Sequence, residues 1–322
     1  KLGRGQCCLG GNCCIVYRRG HGVDDLPVID AHHHFWDLSL NKHPWLCGAE
    51  RIPFRYGDYS PICRNYLVED YRRDSAGHNV VKTVHMEAEW DETDPVGETR
   101  WLHDLHERTG YPHAVIGQAW FTRGDIDDVL MAQAAFPLMR SIRQKPASAP
   151  APDAFVAGRP GSMADPAFRD GYKGLARHGL HYDLQCPWWH LGEAADLARD
   201  FPDTTIILNH TGLPSDRSLN GLAGWRAAME TFADRPNTAV KISGIGVPGQ
   251  LWSVDLNGGI VRATIDIFGV DRCMFASNFP VDGLCASFDE IFSGFKAITA
   301  DLAAEDQRKL FHDNAVRYYR PV

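Results

Sequence analysis

The stretch that decides the fold is Val28-Ile29-Asp30-Ala31-His32-His33-His34-Phe35-Trp36. Val28–His32 is short, apolar and β-branched at its start, so it reads as a buried strand rather than a helix. Side chains alternate across a strand, which puts His32 and His34 on one face, roughly 6–7 Å apart, and turns His33 to the other, where a structural role is expected. Two imidazoles at the end of a buried strand suit one divalent metal or one substrate carbonyl.

Outward from this stretch the same unit recurs. Seven more strand candidates follow: Val80–Ala88, Ala114–Trp120, Leu138–Arg143, Leu180–Gln185, Thr205–Asn209, Thr238–Ile242 and Cys273–Ser277. Amphipathic stretches with helical spacing lie between them, among them Leu67–Gly77, Val96–Thr109, Leu191–Asp200 and Gly259–Phe268. Pro166 after Asp165 supplies a first-turn proline with an Asp cap. Two helices near Phe288–Thr299 and Ala303–Phe311 end the chain. Apolar strands alternating with helices predict a parallel sheet covered on both faces. Eight such units predict an α/β fold: a single (β/α)8 TIM barrel over 27–322 with extra C-terminal helices. An open doubly wound sheet with a phosphate loop is disfavoured, since neither GxGxxG nor GxxxxGK[ST] occurs. The long segments Asp37–Tyr66 and Pro146–Gly161 are expected to cover the site.

Composition narrows the class. The chain has 322 residues, 33 Lys+Arg against 41 Asp+Glu and a net charge of −8, which argues against nucleic acid as a partner. Nine Trp, fifteen Phe and ten Tyr exclude a disordered chain, and no apolar run is long enough to span a membrane. Residues 1–26 are Gly-rich and aperiodic and read as a leader that is disordered or foreign to the natural chain. They hold Cys7, Cys8, Cys13 and Cys14 in adjacent pairs that chelate one ion poorly. The other five cysteines are scattered, as in a reduced cytoplasmic protein. The expected partner is a small-molecule substrate; a homo-oligomer is left open.

In a barrel the chemistry sits at the C-terminal strand ends. There lie His32 and His34 on strand 1, Glu87 on strand 2, Gln118 on strand 3, Arg140 and Arg143 on strand 4 and Gln185 on strand 5. His210 follows strand 6, Lys241 lies on strand 7, and Asn278 with Asp282 follows strand 8. His190, beside Trp188 and Trp189, is either a substrate contact or a helix start. The Arg pair suits a carboxylate or lactone oxygen. Trp36, Trp45, Trp120, Trp188, Trp189 and Trp252 are candidates to line a pocket for a flat ring, with most of them expected in the core.

Three motifs, Val28-Ile-Asp-Ala-His-His-His-Phe-Trp, Ile206-Ile-Leu-Asn-His-Thr-Gly and Phe275-Ala-Ser-Asn-Phe-Pro-Val, resemble the amidohydrolase superfamily. The chain is similar to its amidohydrolase-related branch, which contains sugar lactonases and 2-pyrone-4,6-dicarboxylate lactonase. The resemblance implies a distorted barrel and hydrolysis of a lactone or similar ester. It also implies His32, His34 and His210 as a ligand set for a divalent metal such as zinc. The strand-8 position that normally carries the water-activating Asp is Asn278 here, and an amide accepts no proton near neutral pH. That favours members of the branch that work without metal. It also moves the base to another carboxylate, with Glu87 first and Asp282 second. In this reading Arg140, Arg143, Gln118, Gln185, His190 and Lys241 hold the substrate. A non-oxidative decarboxylase of an aromatic or unsaturated acid and a non-catalytic binding barrel are the alternatives.

Overall fold

Eight short strands with buried, mostly apolar sequences associate in chain order. The computed structural model describes residues 26–322. Its strands are β1 (Val28–His33), β2 (Val80–Met86), β3 (Ala114–Gln118), β4 (Met139–Arg143), β5 (His181–Leu184), β6 (Ile206–Leu208), β7 (Thr238–Ile242) and β8 (Cys273–Phe275). They form one parallel sheet in the order β1 to β8. Backbone bonds draw the last strand's exit onto the first. Asn278 N–H donates to the His32 carbonyl at 2.8 Å, and His34 N–H donates to the Phe279 carbonyl at 2.7 Å. The barrel is therefore nearly closed, as predicted, with helices between successive strands.

Alternation along each strand sorts its side chains into two apolar clusters. Outward residues such as Val115, Ile142, Tyr182 and Val240 join the helices in the larger cluster. Ile29, Val84, Ile116, Ile207, Ala239 and Met274 make a smaller cluster, which Tyr318 and Tyr319 from the C-terminal helix Asn314–Tyr319 join. The sequence pattern did not reveal that helix. Ser218, Ser253 and Ser287 cap the N-termini of three of the outer helices, each accepting from a first-turn N–H.

Among the described residues no helix is long and apolar enough to cross a membrane. The five described cysteines are free. The leader expectation and the four paired cysteines fall outside the described residues, apart from Leu26 at the boundary.

Candidate active site

Strand ends put three imidazoles together. His32 and His34 leave β1 with ring centroids 5.1 Å apart, and His210, just after β6, brings its ring to 4.7 Å from His32. Two of the three have a distinct anchor. His34 Nδ1 meets the Met86 carbonyl at 2.8 Å and His210 Nδ1 meets Ser243 Oγ at 2.9 Å. If those Nδ1 atoms carry the proton, each Nε2 offers a lone pair. His32 is fully buried with neither ring nitrogen hydrogen-bonded to protein. Burial, reinforced by the neighbouring cations and imidazoles, pushes all three well below the ordinary histidine range, so they are neutral at pH 7. His33 turns away towards Tyr71 and Phe35, as alternation requires.

Beneath the histidines, Asp30 accepts from Ser277 N–H (2.8 Å), Ser277 Oγ (2.6 Å) and Tyr71 Oη (2.8 Å). Burial pushes its carboxyl up to about 6 despite these bonds. This network ties the β1 strand end to the β8 exit.

The backbone at this rim is unusual. Glu89 (φ 56°), His210 (56°), Thr211 (50°), Leu213 (56°) and Asn278 (55°) all adopt the left-handed region without being glycine. Such conformations cost of order 1–3 kcal/mol each and persist where the surroundings fix them. Gly244 has φ +60°, and a Cβ there would lie 2.4 Å from His210 Nδ1.

A cavity of about 270 Å³ opens above the histidines, lined in part by His34, His210, Asn278, Arg143, Lys145 and Gln185. The segment 37–66, closed by a backbone bridge between Trp36 and Tyr66, adds Trp45, Ile52, Phe54 and Arg55. The cations here are all partnered. Arg143 Nε donates to Glu87, its Nη1 donates to Gln185 Oε1 at 3.0 Å, and Lys145 pairs with Glu89. Arg55 donates to the Gly244 carbonyl at 2.8 Å and lies 3.8 Å from Asp282.

Several expectations change in three dimensions. Arg140 and Arg143 are an odd number of residues apart on β4, so they face opposite sides. Arg143 faces the cavity. Arg140 instead donates to the carbonyls of Tyr319, Pro137, Met139 and Arg320, and anchors the C-terminal segment rather than a substrate. His190 is buried and its Nε2 accepts from Ala149 N–H at 2.8 Å, which fixes the 146–161 loop. Lys241 is fully buried in the barrel, 2.8 Å from Asp183, whose carboxylate also accepts from Asn209 and Tyr319. Gln118 lies in an adjoining chamber. Glu87 accepts from Arg143 on one oxygen and from Glu89 N–H at 2.8 Å on the other, and it lines the adjoining chamber. Asp282 accepts from Asn278 Nδ2 at 2.6 Å and Tyr56 Oη at 3.0 Å, and burial raises its carboxyl above the ordinary range. Arg55, Tyr56 and Lys145 are additions to the expected set. They carry no periodic signal, and only the length of 37–66 pointed to that segment.

A divalent metal suits this donor set by chemistry, with three neutral imidazoles and His32 lacking a partner. It does not suit it by arrangement. Among the described residues no three His, Cys, Asp or Glu side chains form a metal-holding group. The strand-8 carboxylate is an amide, and Arg55, Arg143 and Lys241 bear on the three rings.

Comparison with known proteins agrees with this architecture. The amidohydrolase family profile matches residues 29–320. Protein y4mH of Sinorhizobium fredii is 43% identical over 92% of this chain and all of its own length. An L-fucono-1,5-lactonase of Burkholderia ambifaria is 26% identical, covering 91% of this chain and 95% of the lactonase. The crystal structure of a Burkholderia multivorans amidohydrolase with bound zinc superposes with a TM-score of 0.76 at 23% identity, over 92% of this chain and 99% of that one. With the family profile covering nearly every described residue, the chain belongs to the amidohydrolase family.

Proposed function

We propose that this protein hydrolyses the lactone of a small, uncharged, polyhydroxylated acid. The observation that carries the reading is a cavity floored by neutral histidines whose surrounding cations are already paired. An anionic substrate needs an unpaired cation, and Arg143, Lys145 and Arg55 are each engaged by a carboxylate or a carbonyl. A neutral lactone needs only hydrogen-bond donors and acceptors. The same pairing weighs against a decarboxylase of an aromatic acid, which must bind a carboxylate. The lactonase relative supports the hydrolytic class.

In this mechanism the lactone lies against His34 and His210, which line the cavity, and the developing oxyanion accepts from the cationic side chains on the same wall. The lone pairs of His34 and His210 and the oxygen of Asn278, whose Nδ2 is already donated to Asp282, orient the attacking water. Asp282 takes the water proton as the new C–O bond forms. Burial makes it a stronger base than an exposed carboxylate. The tetrahedral intermediate then expels the ring oxygen, which takes the proton back from Asp282. The product is the open hydroxy acid.

A panel of sugar lactones and acidic lactones, followed by acid release, tests this. Turnover of neutral sugar lactones, with acidic lactones slower, is expected. Release of carbon dioxide from an aromatic acid, or no lactone turnover by folded protein, overturns it.

A further inference from the structure

Beside the central cavity lies a larger chamber of about 420 Å³ that the mechanism does not use. The two share Trp45, Ile52, Glu89, Arg143 and Lys145 on their walls and open onto one rim. Three indoles from separate segments, Trp45, Trp90 and Trp120, stand around the chamber, with Gln118 between them.

These walls are fixed before any ligand arrives. Trp45 Nε1 donates to the Ala88 carbonyl at 2.9 Å, and its ring stacks on Phe54 at 5.8 Å with 19° between planes. Trp90 stacks on Trp101 at 6.1 Å and takes the edge of His43 at 5.2 Å. Pre-set aromatic faces bind with little ordering cost.

Gln118 supplies the second, independent observation. It is 3% exposed; its Nε2 donates to the Trp90 carbonyl at 3.3 Å, while its Oε1 is buried with no hydrogen-bond partner. A buried acceptor left unmade is costly, so a ligand donor is the natural partner. Anions are disfavoured, because Arg143 and Lys145 are already held by Glu87 and Glu89. Flat apolar faces, the waiting acceptor of Gln118 and the carboxylates of Glu50 and Glu92 on the same walls describe a ring with C–H faces and hydroxyl edges that donate.

We propose that this chamber is a second sugar subsite, and that the substrate is a lactone whose ring carries a further glycosyl unit. The lactone sits over His34 and His210, and the attached sugar lies between Trp45, Trp90 and Trp120 with a hydroxyl donating to Gln118 Oε1. The kinetic arm of the test rests on the lactonase reading; the binding arm does not.

For binding, the full chain is titrated with β- and α-linked disaccharides, the matching monosaccharides and tetramethylammonium, following tryptophan fluorescence and heat. A disaccharide is expected to bind at least tenfold more tightly than its monosaccharide. Trp120→Ala and Gln118→Leu, each checked for native melting, are expected to abolish that difference. For kinetics, the ratio of kcat/KM for a disaccharide lactone over the monosaccharide lactone is expected to exceed ten and to fall towards one in both variants. Equal affinity for mono- and disaccharide, tighter binding of tetramethylammonium, or an unchanged ratio in both variants overturns the proposal. Disaccharide binding without any lactone turnover leaves the subsite standing and removes the hydrolytic reading instead.

Discussion

Replacing Asp282 by Asn removes a base while leaving its surroundings nearly intact. The amide keeps an oxygen where Asn278 Nδ2 and Tyr56 Oη donate, at 2.6 and 3.0 Å in the native protein. The side chain is buried, so ionised Asp282 is already held at a cost, which is why its carboxyl is raised. A neutral isostere escapes that cost, but it loses the 3.8 Å contact with Arg55 and turns an amide N–H towards the Gly244 N–H from which the carboxylate accepts. Stability is therefore expected to fall by about 1–3 kcal/mol. Catalysis is expected to fall by about 10²–10⁴, the range for a lost general base, or roughly 3–5 kcal/mol of barrier. The pH dependence adds a sign. Activity needs the deprotonated carboxylate, so the native rate rises with pH through an acid limb placed above the ordinary Asp value, and the variant lacks that limb. The assay is kcat/KM on a neutral sugar lactone across pH, with a melting curve on the same samples. Native-like turnover with the acid limb in place would refute the assignment of the base. Glu87→Gln makes the comparison: it weakens the anchor of Arg143, and KM is expected to rise more than kcat falls.

Arg140→Ala is expected to leave kcat/KM unchanged and to lower stability by about 2 kcal/mol, since its bonds run to C-terminal carbonyls and not to the cavity; a selective loss of activity would contradict that placement. Lys241→Met strands the fully buried Asp183 carboxylate and is expected to cost about 3–5 kcal/mol in urea unfolding, with Lys241→Met/Asp183→Asn regaining most of it; equal stability of single and double variants would show that the pair is not coupled. Dialysis against a chelator is expected to leave lactone turnover intact; activity that disappears and returns with stoichiometric zinc would show that the three histidines close on an ion after all.

The barrel was legible in the residue pattern. Apolar runs such as Ile206–Leu208 and Cys273–Phe275 cannot bury both faces except in a parallel sheet covered by helices, and their count and order leave few topologies. The shared face of His32 and His34 was legible too, because alternation is a local property of the strand. The same rule separates Arg140 from Arg143, and there the residue type drew more attention than the odd spacing did. Pairing across strands became visible only in the folded chain. Glu87 is two strands away from Arg143, and their ion pair depends on the register of β2, β3 and β4 together. Arg55 reaches Gly244, 189 positions along the chain, through a loop whose conformation no periodicity encodes. Charge and chemistry at this rim follow from which groups meet, and meeting is set by long-range closure of the barrel rather than by any local run of residues.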